Sequence, residues 1–289
     1  MRPPRQPITA VIGAPAWRDA LQRASAKART FEVSWAEVPV IHRAFAPMAR
    51  EQAYDVSEMA IVTALQAIAY GKPLLLLPVT IAARFQHRCL IARRTDEPLR
   101  PQDLAGRRIG VRAYTQTTGV WLRGILQNDY GVAADSVRWV TQEGAHVAEY
   151  RDPDWVESAP AGVSLPQLLR AGEIDAAILG NDLPDDPDLA PVIADPDAAA
   201  QNWYRKYGVV PVNHMLMVRA DRFEANPAAL RELWDMLGKA KPDGAVIGIA
   251  AHRPALGLLL DYCDQQKLLP RRMSVDEIFE PTLAAFGET

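Results

Sequence analysis

Residues 8–28 read ITAVIGAPAWRDALQRASAKA, and their order decides the fold class. Ile8 to Ile12 is a short, mostly β-branched run that stops at Gly13. Pro15 suits a first helical turn, because its missing N–H would have had no partner there and its φ is preset. Trp17, Ala20, Leu21, Ala24 and Ala28 follow at helical spacing, which gathers them on one face. A strand running through a glycine turn into an amphipathic helix is the opening of a βα repeat.

The alternation continues outward from there. Phe31 to Val38 sets Phe31, Val33 and Trp35 against polar residues, a strand pattern. Ile41, Phe45 and Met48 fit a helix face interrupted at Pro47. Tyr54 to Val56 reads as a short strand, Ser57 to Tyr70 as a helix closed by Gly71, and Leu74 to Val79 as a fully apolar strand. A second series begins near Pro98. Asp103 to Arg112 is a short helix or turn leading into a strand, and Thr117 to Tyr130 is a helix stopped by Gly131. Ser136 to Val140 is a strand, Leu165, Leu168 and Leu169 mark a helix ending near Gly172, and Ile174 to Leu179 is a buried strand. Asn181 to Asp197, rich in Asp and Pro, reads as loop. After Tyr204 come a strand at Val209 to Val218 and a helix announced by Asn226-Pro227. Ser274 and Glu277 then have the spacing of a capping box. Buried strands alternating with helices predict an α/β protein with parallel sheets covered by helices.

Composition narrows the function classes. The 289 residues carry 32 basic and 35 acidic side chains, a net charge of −3, which gives no support to a nucleic-acid partner. Pro73 to Ala83, the longest apolar run, is far short of the ~20 residues of a spanning helix. MRPPRQPITAVIGAPAW lacks the apolar core of an export leader, so the expected location is cytoplasmic, with no membrane partner. Cys89 and Cys263 are expected to be buried thiols, with a bridge between them left open. The five histidines show no HxxxH or HExxH spacing, and Walker, GxGxxG and GxSxG patterns are absent.

Four segments carry a resemblance. They are YDVSEM (Tyr54–Met59), YTQTTGVWLRGILQNDYGV (Tyr114–Val132), YRKYGVVPVNHMLMVR (Tyr204–Arg219) and QQKLLPRRMSVDEIF (Gln265–Phe279). In wording, order and spacing the chain resembles the 4,5-dihydroxyphthalate decarboxylase family, itself similar in fold to the substrate-binding proteins of ABC transporters. The resemblance implies a type II periplasmic-binding-protein-like fold: two Rossmann-like lobes, 1–95 with 205–289 and 96–204, and a ligand cleft at the hinge. It departs from the family pattern at Ala82, Ala83 and Gln86, where polar or basic residues are expected, and at Arg112 and Ala113. The chain is also shorter than the family, between Trp139 and Leu165.

The implied activity is loss of CO₂ from a hydroxylated aromatic acid, which requires a proton for the ring carbon. His87 and His214 each precede an apolar run ending in arginine and are the candidate proton donors. Glu58, beside Ser57 at the start of a helix, is expected to assist a ring hydroxyl or else only to stabilise the helix dipole. Thr117 and Thr118 open a helix whose free N–H groups favour an anion, or else simply cap it. Tyr114 would orient the ligand, Arg84 would pair with a carboxylate, and Gly13 would let backbone approach the ligand or only make a turn. His42, His146 and His252 are read as structural. No cofactor is forced, although histidines and Glu58 are of types that ligate a divalent metal. A non-catalytic binding or sensor protein on the same scaffold is the competing reading, and another lyase or isomerase a third. The expected partner is a small aromatic carboxylate. A homo-oligomer stays open, since Trp203 and the apolar residues after His252 suit either an interface or a core.

Overall fold

The computed structural model describes residues 5–180 and 183–287. The reading of MRPP at the N-terminus, and of Asn181 and Asp182 as loop, lies outside the described residues. Along the chain run β1 (Gln6–Val11), α1 (Pro15–Ser25), β2 (Phe31–Trp35), a 3₁₀ turn (Ile41–Ala44), α2 (Phe45–Glu51), β3 (Val56–Ala60), α3 (Ile61–Ala69) and β4 (Leu74–Ala83). Next come a 3₁₀ turn (His87–Cys89), β5 (Leu90–Arg93), β6 (Arg108–Val111), α4 (Thr117–Tyr130), β7 (Arg138–Thr141), β8 (Val156–Ser158), α5 (Leu165–Ala171), β9 (Ala176–Ile178), β10 (Leu189–Pro191) and α6 (Pro196–Tyr207). The chain finishes with β11 (Val212–Arg219), α7 (Ala220–Glu224), α8 (Pro227–Ala240), α9 (Ile249–Gln265) and α10 (Val275–Phe286).

These elements form two compact units. The first holds the residues up to Ala83, Val212–Gly257 and those from Pro270; the second holds Arg84–Pro211 and Leu258–Leu269. The expected crossings at 95/96 and 204/205 differ from this division. β5 pairs with β9 and β10 in the sheet of the second unit, and α6 belongs there too.

The first unit has a sheet in the order β2-β1-β3-β11-β4. β1 runs parallel to β2 and β3, whereas β11 is antiparallel to both β3 and β4. Its core gathers Ile8, Phe31, Leu77, Leu216, Phe223 and Leu230, with Trp17 and Leu21 of α1 packed on the same cluster. That is the helical face predicted from Ile8–Ala28.

The second unit has a sheet in the order β10-β5-β9-β6-β7-β8, with β6 parallel to its neighbours β7 and β9. Ile91, Val140, Leu165, Leu169, Ile174 and Ala177 form one of its cores. Trp203 is 4% exposed and packs against Phe85, His87, Trp121 and Tyr207, so it is interior. Leu256, Leu259, Tyr262 and Cys263 after His252 are interior as well. Cys89 and Cys263 are both buried free thiols. No helix among the described residues is long and apolar enough to cross a membrane.

Two sequence expectations give way. Ser57 and Glu58 do not open a helix; they lie inside β3, and α3 starts only at Ile61. All five residues of β3 are buried, so the strand has no exposed face and no alternation to betray it. The span from Leu183 to Asp197 contains β10 and the start of α6, where Asp195 caps Ala198 and Pro196 takes the first turn.

Candidate functional site

β3 and β11 place the chemistry of the first unit. In their antiparallel register Glu58 stands opposite Leu216, and His214 opposite Ala60. Glu58 and His214 are therefore diagonal neighbours on one face of the sheet. Their side chains meet: His214 Nδ1 lies 2.6 Å from Glu58 Oε1. The other carboxylate oxygen, Oε2, accepts the backbone N–H of Gly13 at 2.8 Å and of Ala14 at 3.1 Å. Those two amides stand at the leading end of α1, where N–H groups lack helical partners and the dipole favours negative charge. Glu58 is 2% exposed, so an ionised carboxylate there needs this full set of donors.

Three donors on two oxygens define the hydrogen positions. An ionised carboxylate only accepts, so His214 Nδ1 carries a proton and donates it. Nε2 is then the nitrogen left to exchange a proton with something else. The edge of Phe45 meets the imidazole face at 5.2 Å between centroids, with the planes 76° apart. The His214 side chain remains 24% exposed while that of Glu58 is 3% exposed. A buried carboxylate thus orients a partly exposed imidazole, the arrangement that suits proton transfer.

Gly13 is a close-approach position. A Cβ there would lie 2.6 Å from Ile41 Cβ, and its backbone N–H donates to Glu58. Gly13→Ala is expected to destabilise the protein by about 1–3 kcal/mol through this overlap, read as a lower denaturant midpoint. A midpoint equal to wild type would mean that the 13–14 turn and Ile41 separate freely.

Glu58 also differs from expectation in role. Both of its oxygens are engaged within the unit, one by His214 and the other by two backbone amides. Ser57 points to the opposite face of the strand, is fully buried, and donates to the carbonyl of Glu58 at 2.9 Å. Phe45 and the amide of Ala14 were not anticipated. Nothing in the local sequence marks them, since their partners are distant in the chain.

The remaining candidates belong to the second unit. His87 is 2% exposed, its Nδ1 has no hydrogen-bond partner among the described residues, and its ring sits 6.1 Å from Trp203 and 6.5 Å from Phe85. Burial pushes its pKa down to about 4, so near neutrality it carries no proton to give as an imidazolium. Arg84 donates to Cys89 Sγ at 3.0 Å. Thr117 and Thr118 are the first two residues of α4, each 4% exposed, and the cap position before them is Gln116. Tyr114 is fully buried. Its hydroxyl accepts from Trp155 Nε1 at 3.1 Å, and the Arg123 guanidinium lies 4.0 Å over its ring. Both of these partners lie within the same unit. Among the described residues no group of three or more His, Cys, Asp or Glu is placed to hold a metal ion.

His87 has a measurable consequence. Unfolded, it titrates near 6.5; folded, near 4. Between those pH values the unfolded chain binds more protons, so its contribution is complete above about 6.5 and lost as pH falls toward 4. The loss is at most about 3 kcal/mol. His252, also lowered by burial, adds in the same sense. His87→Phe is expected to flatten, without abolishing, the fall of Tm between pH 6.5 and 4. An unchanged slope would show that His87 is protonated in the folded protein.

Comparison with known proteins adds the relatives. No family model matches the chain. It is 30% identical over 207 residues to 4,5-dihydroxyphthalate decarboxylase of Comamonas testosteroni, covering 65% of this chain and 59% of that protein. It is 31% identical over 179 residues to 4,5-dihydroxyphthalate decarboxylase of Pseudomonas putida, covering 57% of this chain and 67% of that protein. The chain thus spans about three fifths to two thirds of the length of these relatives. Among solved structures it is similar to the periplasmic aliphatic sulphonate binding protein SsuA from Escherichia coli. There the TM-score is 0.52 at 12% identity, covering 97% of this chain and 83% of that one. It is likewise similar to the periplasmic sulfonate-binding protein SsuA from Methylobacillus flagellatus KT, with a TM-score of 0.52 at 10% identity over 98% and 94% of the two chains. These likenesses establish the α/β fold of the periplasmic binding proteins. With 31% identity spread over two thirds of the Pseudomonas putida protein, the chain belongs to the 4,5-dihydroxyphthalate decarboxylase family.

Proposed function

We propose that the protein is a carboxy-lyase that removes CO₂ from a hydroxylated aromatic carboxylic acid, 4,5-dihydroxyphthalate or a close relative. Family membership supports the reaction class. The observation that carries the residue assignment is the 2.6 Å contact between Glu58 Oε1 and His214 Nδ1, with Oε2 held by two backbone amides.

The chemistry follows from that contact. A hydroxyl para to the departing carboxylate pushes electron density onto the carbon that carries it. Protonated His214 gives its Nε2 proton to that carbon, forming the new C–H bond. The electrons of the breaking carbon–carboxylate bond return to the ring, and CO₂ leaves. Glu58 keeps the imidazole in place and stabilises its cationic form before transfer. His214 then recovers a proton from water, which its partial exposure permits.

The test is CO₂ release from 4,5-dihydroxyphthalate by the purified protein, with the product identified by chromatography. Turnover in wild type that is lost in His214→Ala and kept in His87→Ala supports the reading. A second reading has its own support, because the similar solved structures are binding proteins. Micromolar or tighter calorimetric binding of the acid with no CO₂ released would establish that reading instead.

A further inference from the structure

Thr80 sits where β4 departs from regular pairing with β11. His214 is opposite Ala82, Met215 opposite Thr80 and Leu216 opposite Leu77, so the ladder slips on both sides of Met215. Bulges of this kind re-aim side chains and occur beside functional sites. The extra residues lie on β4, directly across from the stretch of β11 that carries His214.

Three hydrogen bonds hold Thr80 at the slip. Its amide donates to the Val246 carbonyl at 3.0 Å, and its own carbonyl accepts from Trp17 Nε1 at 3.2 Å. Its hydroxyl lies 2.7 Å from His252 Nε2. The other ring nitrogen, Nδ1, is 2.7 Å from the Gly248 carbonyl oxygen, which only accepts. His252 Nδ1 therefore carries the proton, Nε2 offers a lone pair, and the Thr80 hydroxyl donates to it. Thr80, His252 and Trp17 are 7%, 1% and 3% exposed, so water does not replace these bonds when one is removed.

The same residue reaches both halves of the pair. Along the sheet, Thr80 faces Met215, the neighbour of His214. Through Trp17 it holds α1, whose leading residues Gly13 and Ala14 donate to Glu58. We propose that Thr80 and His252 are positioning residues for the Glu58–His214 pair, fixing the β4 slip and the start of α1 in the register where carboxylate and imidazole meet. The proposal rests on that pair being the working site.

The experiment compares Thr80→Val and His252→Leu with the conservative changes Thr80→Ser and His252→Gln. Thr80→Ser keeps the donor, and His252→Gln offers an amide oxygen as acceptor. One readout is independent of turnover: the low-field proton signal of His214 Nδ1–H in protein carrying ¹⁵N-labelled histidine. The other is the split between kcat and KM. Thr80→Val and His252→Leu are expected to keep the wild-type circular dichroism, to shift or broaden the His214 signal, and to lower kcat about ten- to hundredfold with KM nearly unchanged. Thr80→Ser and His252→Gln should restore both readouts. Should Thr80→Val fail to fold, Trp17→Phe, which removes the indole donor together with the ring that carries it, is read in its place. A lowered Tm with an unmoved His214 signal and unmoved kcat would overturn the proposal, as would absence of rescue. If wild type releases no CO₂, the reaction assignment fails and the His214 signal alone still decides the positioning role.

Discussion

His214→Asn is expected to lower kcat for CO₂ release by about 10²–10⁴-fold, the range that a positioned proton donor supplies. Asparagine is chosen because its side-chain amide can still donate to Glu58 Oε1 from near the place of Nδ1, so the buried carboxylate keeps a partner. What it lacks is a second nitrogen that can hold and release a proton. The fold should survive with a midpoint close to wild type. The loss should appear in single-turnover rates as well as steady state, because it falls on the chemical step. His87→Asn is the control. Replacing a histidine held neutral by burial in an aromatic cluster should cost stability and leave the proton-transfer rate within a few-fold. The opposite pattern, with turnover surviving in His214→Asn and lost in His87→Asn, would move the chemistry to the second unit.

Much of the scaffold was legible because its signals are local. The strand, glycine turn and helix at Ile8–Ala28 appear as β1, the 13–14 turn and α1, with Trp17 and Leu21 on the buried face. Thr117 to Tyr130 is recovered as α4, ended by Gly131 in the left-handed region at φ 73°. Asn226 and Ser274 cap the helices they announce. Where the signal was not local, the reading slipped. β3 is buried throughout, and α3 begins after Ala60 with no capping side chain, so nothing in VSEMAIVTALQ marks the change from strand to helix. α6 buries only Ala200 and Trp203, and that sparse face was hidden behind an Asp/Pro-rich stretch despite the Asp195-Pro196 start.

The site divides in the same way. Gly13, Glu58 and His214 could each be picked out as residue types suited to the chemistry. Their partnership could not, because 156 residues separate Glu58 from His214 and only the β3–β11 register brings them together. The register also explains why Glu58 and Ser57, adjacent in sequence, do not cooperate: they leave the strand on opposite faces. Tyr114 and Arg84 illustrate the converse. Both are chemically apt for a ligand, but packing gave Tyr114 to Trp155 and Arg123, and gave one Arg84 nitrogen to Cys89.

Glu58→Gln is the other large expected effect, and it separates orientation from proton transfer. The substitution conserves size but replaces one acceptor oxygen with an NH₂. If the NH₂ turns toward Gly13 and Ala14, it faces two N–H donors and leaves them unsatisfied in a buried place. If it turns toward His214, it donates to Nδ1 and forces the proton onto Nε2, the reverse of the native tautomer. Either orientation removes charge-assisted bonds, and a loss of about 1–3 kcal/mol is expected in the denaturation midpoint. Turnover should fall further than stability suggests, by about 10²–10⁴-fold, because the imidazolium loses its counter-charge and the ring its orientation. The decisive comparison is the double variant Glu58→Gln/His214→Asn. Residues that act as one unit are not additive, so the double variant should be no slower than the slower single one. Losses that multiply would mean that Glu58 supports catalysis by a route other than His214, and the 2.6 Å contact would then be structural.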